Sequence, residues 1–160
     1  MFTAIQIAEF FLLKDKIGNA SEKINDRNFC EGDARLNVYL HLAQNIYIAK
    51  TGEKLFVDDL YAYSIGAVAL NVHRNYPILA KRRFKMVDVD LPEEIELFLA
   101  KILRVFQIVK LDELIEFSRE DPEWLDKRGV DDQRMDSLAR VEEYREQYKD
   151  ILKVMDGIDL

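Results

Sequence analysis

Ala34-Arg-Leu-Asn-Val-Tyr-Leu-His-Leu-Ala-Gln-Asn-Ile-Tyr-Ile-Ala-Lys50 is the stretch on which the fold turns. Its apolar residues recur at Leu36, Tyr39, Leu40, Ala43, Ile46 and Tyr47, a three- and four-residue spacing that predicts an α-helix. Val38, Leu42 and Ile48 fall on the remaining faces. A helix that is apolar nearly all round is enclosed by other elements, so this one should run through the middle of a domain. Asp33 stands at the expected N-cap, and Thr51-Gly52 stands where the helix should stop.

Working outward, the period stays helical on both sides. Ala4, Ile7, Ala8 and Phe11 share one face of a helix over residues 3–17, with Thr3 as N-cap and Gly18 as stop. Phe10, Leu12 and Leu13 widen that face, so the helix should pack on two sides. Residues 19–33 are polar and read as a loop with a short helical turn at residues 21–24. Beyond Gly52, Leu60, Ala62 and Ser64 alternate with Tyr61, Tyr63 and Ile65, which suits a short strand within a small β element near residues 55–65. After Gly66 the helical spacing returns at Val68, Val72 and Tyr76, and Pro77 should end it. Residues 78–91 then read as a loop or small hairpin. A strong helix is expected over residues 92–109, on Ile95, Phe98, Leu99, Ile102, Phe106 and Val109, with Pro92 in its first turn. A shorter helix over 112–118 and a turn around Trp124 follow. The last helix, 136–155, turns Leu138, Val141, Tyr144, Tyr148, Ile151 and Leu152 inward and closes at Gly157. No repeat or linker divides the chain. The expected fold is mainly α: a single compact helical domain over residues 1–160, with about six or seven helices and a small β element.

Composition sets the outer bounds. The chain has 160 residues, 49% hydrophobic and 33% charged, enough apolar content to bury a core. Its net charge of −7 argues against a surface that binds nucleic acid or anionic lipid throughout. Cys30 is the only cysteine, so no internal disulfide exists. Met1-Phe2-Thr3-Ala4 lacks a basic leader, Glu9 interrupts the early apolar stretch, and no run nears the ~18 apolar residues of a membrane span. These features point to a cytoplasmic protein.

Catalytic motifs do not emerge. The glycines at 18, 32, 52, 66, 129 and 157 stand alone, so there is no phosphate loop or dinucleotide fingerprint. Thr51-Gly52-Glu53-Lys54 lacks the upstream glycine, and Glu53 would repel a phosphate. His41, His73 and Cys30 are too few for a closed zinc set of N and S ligands. A Cys30–His41 nucleophile–base pair can be drawn, but the plainer reading is a loop thiol and an imidazole on the polar edge of a buried helix. Asp58-Asp59, Asp88 with Asp90, and Asp131-Asp132 could hold magnesium, yet each lies beside a loop or helix start where Asp serves as a cap. Glu142, Glu143 and Glu146, interleaved with Arg140, Arg145 and Lys149, read as a solvated helix face. The chain therefore reads as a protein without an enzyme's site or a cofactor.

One charge pattern stands out. Arg74, Lys81, Arg82, Arg83 and Lys85, with Phe84 among them, form a basic stretch followed at once by Asp88, Asp90, Glu93, Glu94 and Glu96. It reads either as a contact for an acidic partner or nucleic acid, or as a solvated loop neutralised by its neighbours.

Leu36-Asn-Val-Tyr-Leu-His-Leu-Ala-Gln44, then Tyr47, Gly52, Leu55-Phe56, Tyr61-Ala-Tyr-Ser-Ile-Gly-Ala-Val68 and Tyr76, resembles the Panacea domain family, whose members are often labelled phage-associated, GepA-like proteins. Leu111-Asp-Glu-Leu-Ile115 and Trp124 resemble its second half, and the helix over 3–17 resembles its opening helix. Two positions depart from the family pattern: Ala67 replaces a proline, and Tyr63 replaces a tryptophan. The resemblance implies an antitoxin, which neutralises a cognate toxin by direct binding, and a relative also serves as an adaptor that hands its toxin to a protease. It implies a setting in bacteria, prophages or phages. The residues that carry it, together with the basic stretch, make Tyr61, Tyr63, Gly66, Arg74, Tyr76, Arg82 and Arg83 the candidate partner contact. Tyrosine and arginine dominate interface hot spots, and a strand here would offer a free edge. The alternatives are a DNA-binding regulator, against which stands the lack of a helix-turn-helix with a basic recognition helix, or another phage accessory protein.

Overall fold

The computed structural model describes residues 1–20, 32–82 and 85–160, with the backbone alone for residues 16–20. The first helix, α1 (Ala4–Ala20), begins at a reciprocal cap. The Gln6 amide donates to Thr3 Oγ1 at 3.2 Å, and the Thr3 amide donates to Gln6 Oε1 at 2.9 Å. The Ala4 amide donates to Asp58 Oδ1 at 2.7 Å, tying the start of α1 to the segment after the central helix. Gly18 does not stop α1, which continues to Ala20; a glycine is tolerated inside a helix, at a cost of about 1 kcal/mol relative to alanine. The expected turn at residues 21–24 lies outside the described residues, as does Cys30.

The central helix, α2 (Ala34–Thr51), is buried at every position except Ala34, Tyr47, Lys50 and Thr51. It ends at Gly52, whose φ of +78° lets its amide donate to Ile48 O at 2.7 Å. Asp33 occupies the N-cap position without making the cap bond. Its Oδ2 instead accepts from Asn37 Nδ2 at 3.2 Å and pairs with the His73 ring.

A hairpin follows. Strands β1 (Leu60–Tyr63) and β2 (Gly66–Ala69) pair antiparallel, Leu60 opposite Ala69 and Tyr63 opposite Gly66, around a turn of Ser64 and Ile65. The β element thus spans 60–69, overlapping the expected 55–65 and ending four residues beyond it, and 66–69, expected to open a helix, is a strand. All four β2 residues are buried, and a strand buried on both faces carries no alternation for a sequence reading to find. Residues 133–135 line the outer edge of β1: the Ala62 amide donates to Gln133 O and the Met135 amide to Leu60 O, each at 2.8 Å. The expected free edge is therefore covered on that side, while β2 packs on α2, where the Ala69 amide donates to Asn37 Oδ1 at 3.1 Å.

Helix α3 (Leu70–Arg82) continues through Pro77, correcting the expected stop there and the loop expected over 78–82. Val72 and Leu79 are buried and α3 packs on α1, while Pro77 faces solvent, so packing carries the helix past the missing amide. Pro77→Ala should restore the bond to His73 O and raise stability by about 1–3 kcal/mol in urea denaturation. An unchanged midpoint would mean the proline's restriction of the unfolded chain offsets the gain.

Helices α4 (Glu93–Phe106), α5 (Leu111–Ser118), α6 (Pro122–Lys127), α7 (Val141–Gln147) and α8 (Lys149–Asp156) complete the fold, with a 3-10 turn at Ser137–Arg140 before α7. Pro92 sits at the cap of α4 rather than inside it. The single last helix expected over 136–155 is three pieces. It breaks at Tyr148 (φ −105°, ψ 10°), whose fully buried ring meets Phe117 edge-on at 6.0 Å and Tyr144 at 5.9 Å. That break lets α7 lie on α2 and α8 on α4. Leu138, expected inward, is 43% exposed because it belongs to the 3-10 turn. Leu40, Ala43, Phe98, Ile102, Phe106 and Tyr148 are buried as expected, whereas Tyr47 and Val141 are half-buried. The fold is mainly helical, with eight α-helices and one two-stranded antiparallel sheet among the described residues.

Candidate partner-binding groove

Asp121-Pro-Glu-Trp124 opens α6, and three of its side chains each fasten a different part of the molecule. Asp121 is the N-cap, its Oδ1 accepting from the Glu123 amide at 2.9 Å, and Pro122 supplies the preset φ of a first helical residue. The same carboxylate accepts from His41 Nε2 at 2.7 Å and Asn45 Nδ2 at 2.8 Å, both on α2, and from the Tyr144 hydroxyl at 2.8 Å on α7. Burial pushes the Asp121 carboxyl up, but the hydrogen bond and charge of His41, with the bonds from Asn45 and Tyr144, outweigh it and hold it below the ordinary value. An ionised carboxylate only accepts, so His41 carries its proton on Nε2. Burial, with the charge of Asp121 beside it, pushes the Tyr144 hydroxyl far up. The cluster is sealed: Asp121, Asn45, Tyr144 and Tyr148 are 0% exposed, and His41 is 1%.

Glu123, also buried, fastens the 3-10 turn. It accepts from the Asp136 amide and from Arg140 Nε at 3.1 Å, and it pairs with Lys127 at 3.2 Å. Arg140 reaches on to Glu143 at 3.0 Å and to Asp126. Trp124 fastens the hairpin: its indole N–H donates to Tyr63 O at 3.0 Å. The Arg119 and Arg128 guanidiniums lie 5.7 Å and 5.2 Å from the Trp124 ring centroid, and Arg119 also donates to Ser64 O at 3.1 Å.

Between hairpin tip and α6 opens a groove of about 730 Å³, lined by Tyr63, Ser64, Ile65, Trp124, Arg128 and Gln133. Ile65 is 61% exposed at its rim. Arg128 has no ion pair or hydrogen-bond partner among the described residues, so its guanidinium is free to meet an incoming group. Aromatic rings, an aliphatic rim and an unpaired guanidinium are the components of a protein-recognition surface.

The expected contact residues divide into two groups. Tyr61 and Tyr63 stand together on β1 with ring centroids 6.5 Å apart; Tyr61 lies opposite Arg134, and Tyr63 reaches the groove. Gly66 (φ +134°) returns the chain from the turn and is itself buried. Arg74 and Arg82 lie exposed on α3, which packs on α1, and Tyr76 is half-buried against the core. Arg83 lies outside the described residues. Asp121, Glu123, Arg119 and Arg128 were not anticipated. The signal was Asp-Pro-x-Trp, which a sequence reading takes as an ordinary helix start.

Among the described residues, no group of three or more His, Cys, Asp or Glu is placed to hold a metal, and no helix is long and apolar enough to cross a membrane. Compared with known proteins, the chain matches no family model, no curated protein and no solved structure.

Proposed function

We propose that the protein is a partner-binding module of the antitoxin type, which neutralises a cognate toxin by direct contact at the hairpin groove. The observation that carries this reading is the groove itself, where Tyr63 and Arg128 meet beside exposed Ile65 over a floor made by the buried Trp124 ring. These are the residue types in which binding energy concentrates. The resemblance of residues 36–76 to the Panacea family supplies the class of partner and the phage or prophage setting, with the bacterial cytoplasm as the place of action and delivery of the toxin to a protease as a further step. The net charge of −7 would steer a basic toxin toward the protein.

Co-expression with the protein encoded beside it tests the proposal. The neighbour alone should arrest growth, and this chain should restore it. Tyr63→Ala and Arg128→Glu should each weaken the complex by about 2 kcal/mol, roughly thirtyfold, with the melting temperature kept within a few degrees. Full rescue by both variants would move the contact elsewhere on the surface, and a harmless neighbour would remove the antitoxin reading.

A further inference from the structure

We propose that the outward face of α3 is a second docking surface, for an acidic helix of a partner protein that carries an apolar stripe. Residues 60–87 contain no Asp or Glu, in a chain with 30 of them, while Arg74, Lys81, Arg82, Arg83 and Lys85 fall inside that span. The structure turns the charge to one side. Val72, Tyr76 and Leu79 face the core, and Asn71, Arg74, Ile78, Lys81 and Arg82 follow one another on the opposite face at helical spacing, with Lys85 exposed just beyond.

Acidic groups reach α3 from its surroundings. Glu9 on α1 lies 3.9 Å from Arg82, Asp33 pairs with His73, and Asp58 accepts from Asn71 at 3.1 Å. None of them meets Arg74, Lys81 or Lys85, which have no ion pair among the described residues. The acidic residues that follow in sequence thus leave most of this stripe unneutralised.

Ile78 decides the kind of partner. It is 60% exposed in the middle of the stripe, with Arg74 one turn before it and Lys81 and Arg82 one turn after. Val87, 93% exposed, lies in the segment that follows the helix. A phosphate backbone would use the cations and leave Ile78 without a counterpart. An amphipathic helix with acidic flanks uses both: its apolar stripe covers Ile78, and its carboxylates meet the cations, which is the helix-on-face mode of recognition. This surface shares no residue with the lining of the Trp124 groove, and its occupation does not depend on the antitoxin reading.

The test uses a fluorescein-labelled amphipathic helix of leucine and glutamate, about four turns long, with the same helix in leucine and lysine as control, read by anisotropy on the full chain. The glutamate peptide should bind saturably and the lysine peptide should not. Arg74→Glu with Lys81→Glu should weaken binding at least about tenfold, and Ile78→Ser several-fold. All three positions face solvent, so circular dichroism should be unchanged. Tyr63→Ala and Arg128→Glu should have no effect, which separates a failure here from a failure at the groove. Equal binding of the lysine peptide, insensitivity to the α3 substitutions, or a duplex DNA of about sixteen base pairs binding more tightly than the glutamate peptide at the same salt would each overturn the proposal.

Discussion

Replacing Leu40 with Asp should leave the protein unfolded at 25 °C. Leu40 is 0% exposed in the middle of α2, the helix on which α1, α4, α5, α7, α8 and the hairpin all pack. An unpaired carboxylate there costs several kcal/mol beyond the lost apolar burial, against a total stability on the order of 5–15 kcal/mol for a domain. Leu40→Ala removes the contact without adding charge and should cost about 2–5 kcal/mol. Circular dichroism and proton NMR dispersion check both. A cooperative melt from Leu40→Asp would mean that α2 is not the core of the fold.

The second large effect belongs to Asp121. Asp121→Ala removes one acceptor from four donors at once, His41 Nε2, Asn45 Nδ2, the Tyr144 hydroxyl and the Glu123 amide. Breaking a buried ionic cluster on one side costs about 3–5 kcal/mol. The folded carboxyl lies below its ordinary value of 3.8, so its contribution to stability is complete above about pH 4. That contribution disappears as the pH falls through the folded-state value, because the unfolded chain takes up the proton first. Urea midpoints measured from pH 6 to pH 2 should therefore fall at the acid end, and Asp121→Asn should flatten that part of the curve. An identical acid slope in the variant would show that other carboxylates set it.

These two residues also mark what could be read in advance. Leu40 announces itself: α2 has apolar residues on every face, and only a central helix tolerates that composition. Asp121 does not, because an Asp before a Pro looks like any capped helix start, and its other donors come from Tyr144, 23 positions away, and from His41 and Asn45, 80 and 76 away. The same distance in sequence hid the groove. Tyr63 reads from sequence as a candidate contact and Trp124 only as the place of a turn, because their hydrogen bond spans 61 positions, and Arg128 gains its meaning only when α6 lies beside the hairpin. Where local signal misled, packing had overruled it. Pro77 lies inside α3 because Val72 and Leu79 hold that helix to the core, and β2 is a strand because β1 pairs with it. Gly52 is the opposite case: its left-handed backbone is needed on the spot, and its place at the end of α2 was legible.

The hydrogen bonds give the groove its preorganisation. Asp121 holds α6 to α2 and α7, Glu123 holds it to the 3-10 turn, and Trp124 holds it to β1, so Tyr63, Ile65 and Arg128 would meet the proposed partner from a fixed frame. Fixing beforehand the elements that carry these side chains lowers the entropy cost of association.

Trp124 is the only tryptophan in the chain and lies in the groove, so a fluorotryptophan label gives one fluorine resonance that reports on this site alone. Titration with the purified protein encoded beside it should shift that resonance in step with complex formation, and Arg128→Glu should move the midpoints of the shift and of complex formation together to roughly thirtyfold higher concentration. A complex that forms in full while the Trp124 resonance stays where it was would contradict the assignment of the hairpin groove as the partner's site.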